Sequence, residues 1–209
     1  MVRVLCIGDS HIPNRAKNLP KEISDYIVDF TAKEGLFDFT LFTGDLINCP
    51  QLLEFLNLNT KKDLLVVLGN MDYHYGNQES PIYQDLDVFF EDNDKITIGL
   101  THGAQIRPRG DYSQLENLAI QKEYNILISG HTHKEDIQLT NKGILLINPG
   151  SVTGAWSFVT SGIPSFIVLD IIKDEKTIVV HLIRLSKKTK RVSELQSYFT
   201  FNKNKILKI

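Results

Sequence analysis

The sequence predicts an α/β fold, and three observations carry that prediction. Strand-like apolar runs alternate with helix-spaced segments through residues 2 to 70, the second half is mostly short apolar strands, and each polar cluster follows the end of an apolar run. VRVLCIG (2 to 8) reads as a buried strand. NLPKEISDYIVDFTAKEG (18 to 35) has helical spacing, with Pro20 near its start and Gly35 past its end. DFTLFTG (38 to 44), the helix-like PQLLEFLNLN (50 to 59) and DLLVVLGN (63 to 70) continue the alternation, which predicts a parallel sheet with crossover helices.

KITIGLTHG (95 to 103), NILISGHTH (125 to 133), ILLINPGS (144 to 151), PSFIVLDII (164 to 172) and TIVVHLIRL (177 to 185) read as strands, with a helix over YSQLENLAIQKEY (112 to 124). Such runs predict an antiparallel second sheet packed on the first. DYHYGNQESPIYQDLDVFFEDN (72 to 93), rich in acids and aromatics, reads as an exposed loop. No linker or repeat divides the chain, so residues 1 to 186 are expected to form one domain. Residues 187 to 209 follow as a basic strand or solvated tail of the same domain: they hold seven Lys or Arg against the single acid Glu194.

With 209 residues the chain is long enough to bury a full core. Its 23 basic and 25 acidic residues nearly balance, which gives no bulk attraction to nucleic acid or to an anionic membrane. The N-terminus runs straight into a strand pattern without the apolar core of a secretory signal, and no apolar run approaches a membrane span. Cys6 and Cys49 form neither a disulfide framework nor a zinc spacing, so both are expected to be structural in a reducing, cytoplasmic setting.

The polar clusters that end the runs are GDSH, GD, GNMD, THG and GHTH. Ligands in α/β sheets collect outside the carboxyl ends of strands, so these segments are expected to converge. Their donors are Asp9, His11, Asp45, Asn70, His102, His131 and His133. Singly, an Asp or Asn after Gly reads as a turn former and a His as a surface residue. Jointly they read as a ligand set, and mixed nitrogen and oxygen donors suit Mn, Zn or Fe rather than Ca or Mg. Glycines 8, 44, 69, 103 and 130 would let the backbone turn tightly there. His181, alone in TIVVHLIRL, is expected to be a strand residue with no role in the site.

The order GDSH, GD, GN, THG and GHTH resembles the calcineurin-like metallophosphoesterases, a family of αββα sandwiches built from two mixed sheets flanked by helices. The resemblance implies two divalent metal ions, one held by Asp9, His11, Asp45 and His133, the other by Asp45, Asn70, His102 and His131, with Asp45 bridging. GDSHIPNR, LTHGAQIRPRGD, YNILISGHTHKE, INPGSVTGA and GIPSFIVLD are similar to the small retromer subunits within that fold, although GHTH and NPGS also occur in small prokaryotic phosphodiesterases. Typical members of the family carry a histidine after the motif's Asn, and small bacterial-type phosphodiesterases a cysteine; here that residue is Met71. A thioether cannot transfer a proton, so no catalytic residue is assigned, and any activity is expected to be weak or vestigial. His74 is expected to face solvent rather than to replace the missing acid.

The retromer resemblance implies a scaffold in protein transport from endosomes, cytoplasmic and peripheral on the endosomal membrane through its complex. Its implied partners are a helical solenoid subunit like vacuolar protein sorting protein 35, docked around Ile106, Arg107 and Pro108 on the metal-pocket face, and short regulator peptides. The arginines 107 and 109 stand where apolar contacts are expected. The peptides would meet WSFVTSGIP (156 to 164) on the face away from the metals, with Trp156, Phe158, Val159 and Ile163 as candidates. Within that piece Trp156 and Ile163 read more naturally as core, and Phe158 and Val159 as exposed. No nucleic acid is expected as a partner.

Overall fold

A computed structural model describes residues 1–92 and 94–209. Along the chain run β1 (Val2–Ile7), α1 (Lys21–Glu34), β2 (Phe37–Phe42), α2 (Pro50–Leu58), β3 (Thr60–Val66), α3 (Asn70–His74), β4 (Tyr83–Phe89) and β5 (Lys95–Thr101). They are followed by α4 (Tyr112–Gln121), β6 (Ile126–Ser129), β7 (Glu135–Leu139), β8 (Leu145–Pro149), β9 (Ser165–Ile172), β10 (Thr177–Leu185), β11 (Val192–Asn202) and β12 (Lys205–Lys208). Seven strands form one sheet in the order β12-β11-β10-β9-β1-β2-β3, and five form the other in the order β4-β5-β6-β8-β7. Both are mixed: β1-β2-β3 and β5-β6-β8 pair in parallel, while their outer neighbours pair antiparallel.

Side-chain alternation explains the layers. In β1, Val4 and Cys6 join the core between the sheets, whereas Leu5 and Ile7 face the layer of α1 and α2 with Ile23, Ile27, Leu52 and Leu56. In β6 and β8, Ile126, Ile128, Leu145 and Ile147 point to the same inter-sheet core, and Leu127 and Leu146 pack under α4 with Leu115 and Ala119. The result is a helix, sheet, sheet, helix sandwich of two mixed sheets.

Three expectations are corrected. The strands of the second half do not make an antiparallel sheet of their own. β9 is buried on both faces, Phe166 and Val168 toward the helices and Ile167, Leu169 and Ile171 toward the other sheet. A strand buried on both sides belongs inside a covered sheet, and β9 lies against β1 with Leu169 opposite Val4. Next, the 72 to 93 stretch is not simply an exposed loop. It supplies the end of α3 and edge strand β4, in which Leu86 and Val88 turn inward while Asp85 and Asp87 stay outside, and the Asp87 carboxylate accepts from Lys95 Nζ at 2.7 Å. Asn93 lies outside the described residues. Last, the basic segment takes the strand form of the two expected and not the solvated tail: β11 and β12 form an edge hairpin whose Phe199, Phe201 and Ile206 enter the core while Lys203, Lys205 and Lys208 stay exposed.

Cys6 is buried in the core and Cys49 is half-buried, and both thiols are free. His181 belongs to a cross-strand network. Arg3 donates from Nε to Asp170 Oδ1 at 2.6 Å and from Nη2 to Oδ2 at 2.8 Å, His181 Nε2 lies 3.4 Å from Asp170 Oδ2, and His181 Nδ1 lies 2.7 Å from Glu194 Oε1. Burial alone would raise the Asp170 carboxyl, but Arg3 and His181 hold it down at about 2. A carboxylate with a depressed pKa stabilises the fold above its unfolded value and loses that contribution as pH falls through the folded one. Replacing Asp170 with Asn should therefore cost about 3 kcal/mol in urea unfolding at neutral pH, because buried Arg3 loses its bidentate carboxylate and keeps only Glu34, at 3.6 Å. The gap between the two proteins should close as pH falls from 3.8 toward about 2.

Candidate metal centre

Every donor named from the sequence sits just past the carboxyl end of a strand. Asp9 and His11 follow β1, Asp45 follows β2, Asn70 follows β3, His102 follows β5, and His131 and His133 follow β6. The backbone there is unusual. Asp9 (φ 49°), His11 (φ 49°), Asp45 (φ 56°), His131 (φ 71°) and His133 (φ 60°) all adopt left-handed conformations. For a non-glycine residue this costs about 1–2 kcal/mol, and such strain persists where the surroundings over-determine it. They do so here: the Asp9 N–H donates to Gly44 O and the His11 N–H to Asp45 O, each at 2.9 Å, so the first loop is laced to the second. A Cβ at Gly69 would lie 2.1 Å from Asp45 Oδ1, and one at Gly130 would lie 2.5 Å from Asp9 Oδ2. Glycine alone allows the backbone to press this closely on the two carboxylates.

The structure brings all seven residues together. Donor atoms of Asp9, His11, Asp45 and His133 lie within 4.8 Å of one another, and all four side chains are buried. On the other side of Asp45, His102 Nε2 lies 3.5 Å from Asp45 Oδ2, 3.0 Å from Asn70 Oδ1 and 3.2 Å from His131 Nδ1. The same Oδ2 is 3.2 Å from His11 Nε2. One carboxylate oxygen thus faces both groups of donors, while its partner Oδ1 accepts the Met71 N–H at 2.8 Å. Asn70 alone is exposed, which leaves the second group open to solvent.

Hydrogen bonding fixes what these groups present. His102 Nδ1 lies 2.8 Å from Thr43 O and His133 Nδ1 lies 2.9 Å from Ala155 O. A carbonyl only accepts, so each Nδ1 carries a proton and each Nε2 points inward. Those Nε2 atoms meet Asp45 Oδ2 and Asp9 Oδ1, the latter 3.3 Å from His133 Nε2. An unprotonated Nε2 opposed to a carboxylate repels it, so a cation, either a proton or a metal ion, belongs between them, and imidazoles tethered by backbone carbonyls are the usual arrangement around a divalent ion. The donor set therefore fits a metal. Burial pushes the Asp9 carboxyl up, but His133 and His102 more than offset it and keep the group ionised. Asp45 likewise stays well below the usual range against its burial, through His102, His11 and the Met71 N–H. Burial, with His102 and Arg109 nearby, lowers His131 to about 4, so that ring is neutral at physiological pH. Burial opposes charge on His133, and Asp9 reverses the balance and raises it.

Asp72 has an organising role that sequence reading missed. Its buried carboxylate accepts the N–H groups of Asp45 at 2.7 Å, Ile47 at 2.8 Å and Gly69 at 3.0 Å, tying the Asp45 loop to the start of α3. The available signal was an acid three residues after Gly69 at a helix start. Ser151 Oγ donates to Asp9 O at 2.7 Å and Thr153 Oγ1 to Ser10 O at 2.9 Å, which gives the NPGSVT segment a bracing role. His74 is exposed and sets its ring edge-on to Tyr75, 5.5 Å between centroids.

The proposed contact residues divide. Arg107, Pro108 and Arg109 are exposed beside a cavity of about 420 Å³ that Asn70 and His131 also line. Ile106 is 5% exposed, packs with Leu115 and Ala119 beneath α4 and lines the same cavity. Phe158 and Val159 are exposed and Ile163 is half-buried. Trp156 is 61% exposed, against the expectation of a core residue, and lies edge-on to Phe158. The segment also does not lie away from the metal donors. Ala155 O meets His133, Ser157 Oγ donates to Thr132 O at 2.6 Å, and Thr160 Oγ1 donates to His133 O at 3.1 Å.

Residues 2–193 match the calcineurin-like phosphoesterase superfamily domain. A probable metallophosphoesterase of Methanothermobacter thermautotrophicus is 36% identical over 147 residues, 70% of this chain and 75% of that protein. Among solved structures, vacuolar protein sorting 29 of Cryptosporidium parvum superposes with a TM-score of 0.80 at 29% identity, covering 96% of this chain and 98% of the other. Wild-type Vps29 of Entamoeba histolytica, crystallised with Zn²⁺, gives a TM-score of 0.77 at 28% identity over 93% and 99% of the two chains.

Because Asp72 positions the shared carboxylate through three N–H groups, Asp72→Asn, which can accept on one side only, should weaken Mn²⁺ binding about 10- to 100-fold in calorimetry. Unchanged affinity would mean that Asp45 is held in place without it.

Proposed function

The chain belongs to the calcineurin-like phosphoesterase superfamily, and from that premise we propose that it is a retromer-type scaffold subunit whose metal pocket shapes a rigid docking face. The observation that carries this reading is the extent of the match to vacuolar protein sorting 29, which runs over 96% of this chain and 98% of the relative. Met71 is consistent with it, since a scaffold has no need of a proton donor beside the pocket. The partner in this reading is a helical solenoid subunit like vacuolar protein sorting protein 35, received at the exposed Arg107, Pro108 and Arg109. Two guanidinium groups at that rim call for carboxylates on the partner. Regulator peptides would use Phe158, Val159 and the half-buried Ile163. The protein would then act in the cytoplasm, reaching endosomal membranes through its complex.

A second reading, a weak metal-dependent phosphodiesterase, is favoured by the buried group of Asp9, His11, Asp45 and His133, with Asn70, His102 and His131 beside it, and by the metallophosphoesterase relative. Asp9, His11, Asp45 and His133 would hold one ion, and Asp45, Asn70, His102 and His131 the other. Ions of the Mn, Zn or Fe class supply Lewis acidity toward a phosphoryl oxygen. Arg107 and Arg109 line the mouth and can orient a phosphate anion, while Met71 has no proton for the leaving oxygen.

The two readings are separable. The scaffold reading expects the full-length protein to co-elute with a purified solenoid subunit as a stoichiometric complex in size-exclusion chromatography, and separate elution contradicts it. With added Mn²⁺, hydrolysis of bis-p-nitrophenyl phosphate should be slow, absent in Asp45→Ala, and raised about 10²-fold or more in Met71→His. If neither the natural chain nor Met71→His turns over, the phosphodiesterase reading fails.

A further inference from the structure

The 155 to 160 loop has two sides. Trp156, Phe158 and Val159 stand in solvent, while Ala155 and Ser157 turn inward and are buried. With its large side chains outside, the loop is held in place by polar contacts rather than by core packing, and segments held this way open and close at low cost.

Those contacts reach two of the donor turns. On the His133 turn, Ala155 O accepts from His133 Nδ1 at 2.9 Å, Thr160 Oγ1 donates to His133 O at 3.1 Å, and Ser157 Oγ donates to Thr132 O at 2.6 Å. On the His11 turn the link is Arg15. Its backbone N–H donates to His11 O at 2.8 Å, its Nη1 donates to Trp156 O at 2.8 Å, and its Cζ lies 5.9 Å from the centroid of the indole.

The same two turns face each other at the donors. His11 Nε2 and His133 Nε2 lie 3.0 Å apart, inside the buried group that includes Asp9 and Asp45. An ion held by both rings fixes one turn against the other, and the loop spans those turns from outside, so its anchors are fixed as well. Linkage works in both directions: whatever orders the loop from outside also holds His133 in place for the ion.

We propose that the 155 to 160 loop is a metal-responsive strap: an ion between His11 and His133 orders it and so prepares the surface of Trp156, Phe158 and Val159 for a regulator peptide. The strap rests on the metal-pocket reading and regulates the surface that the scaffold reading gives to such peptides.

Trp156 is the single tryptophan of the chain, which makes its fluorescence a direct report on the loop. The test titrates the full-length protein with Zn²⁺, a d¹⁰ ion without redox chemistry, and follows Trp156 anisotropy beside calorimetry. Anisotropy should rise with the midpoint that calorimetry gives for Zn²⁺ binding. The double variant Ser157→Ala, Thr160→Val should still bind Zn²⁺, about tenfold more weakly, and lose most of the anisotropy change. A thermal melt matching the natural chain's confirms that the variant is folded. Zn²⁺ binding without any change at Trp156, or a full response in the double variant, overturns the strap and leaves the metal centre standing. If Zn²⁺ does not bind the natural chain, the metal pocket fails and the strap falls with it. No peptide enters the titration, so failure of the regulator reading remains a separate result.

Discussion

Two buried carboxylates, Asp9 and Asp45, are packed against imidazole nitrogens in a space closed by backbone. His102 and His133 donate their Nδ1 protons to the carbonyls of Thr43 and Ala155, so each directs its Nε2 at a carboxylate oxygen. Such an arrangement is electrostatically unfavourable without cations, and the loops accept left-handed backbone at five of the seven donors to build it. Charge compensation is therefore the constraint around which the rest of the molecule is arranged. The parallel strands β1, β2 and β3 and the parallel pair β5 and β6 end at one edge, and the loops leaving them carry every donor.

Cohesion around that edge comes from short polar contacts as well as from the apolar layers. Asp72 gathers three N–H groups from two loops, Ser151 and Thr153 hold the first loop by its carbonyls, and the 155 to 160 segment closes over His133. A surface built this way is stiff, which suits a docking face as well as it suits catalysis. What separates the two uses is a single proton. Met71 contributes its backbone N–H to Asp45 but no acid, so a pocket of phosphoesterase type can persist as a shape while its chemistry fades.

Much of this was legible in the chain. Runs with clear periodicity and a polar cluster at the end, such as VLCIGDSH and ILISGHTH, gave the strands and the donors together, because tight turns and ligands occupy the same few positions. The topology of the second half was less legible. Local alternation says that a strand has two faces, but only the burial of both faces of β9 places it beside β1 rather than in a second sheet. β4 was hidden because its acids alternate with only two well-placed apolar residues, Leu86 and Val88, and the β11 and β12 hairpin was masked by lysines that sit on its exposed side. Trp156 was misread because a lone tryptophan ordinarily belongs to a core, whereas here Ala155 and Ser157 on either side anchor the loop and leave the indole outside. Ile106 stands among exposed arginines but is itself nearly buried, filling space beneath α4 while bordering the mouth.

The most direct measurement of the central claim is anomalous diffraction from crystals soaked in Mn²⁺ at neutral pH. Two peaks about 3.5–4 Å apart, one on each side of the Asp45 carboxylate, are the expected result. A map with no peak between the imidazoles, or with the histidines turned away from Asp9 and Asp45, would show that protons rather than metal ions balance this cluster, and the metal centre would have to be abandoned.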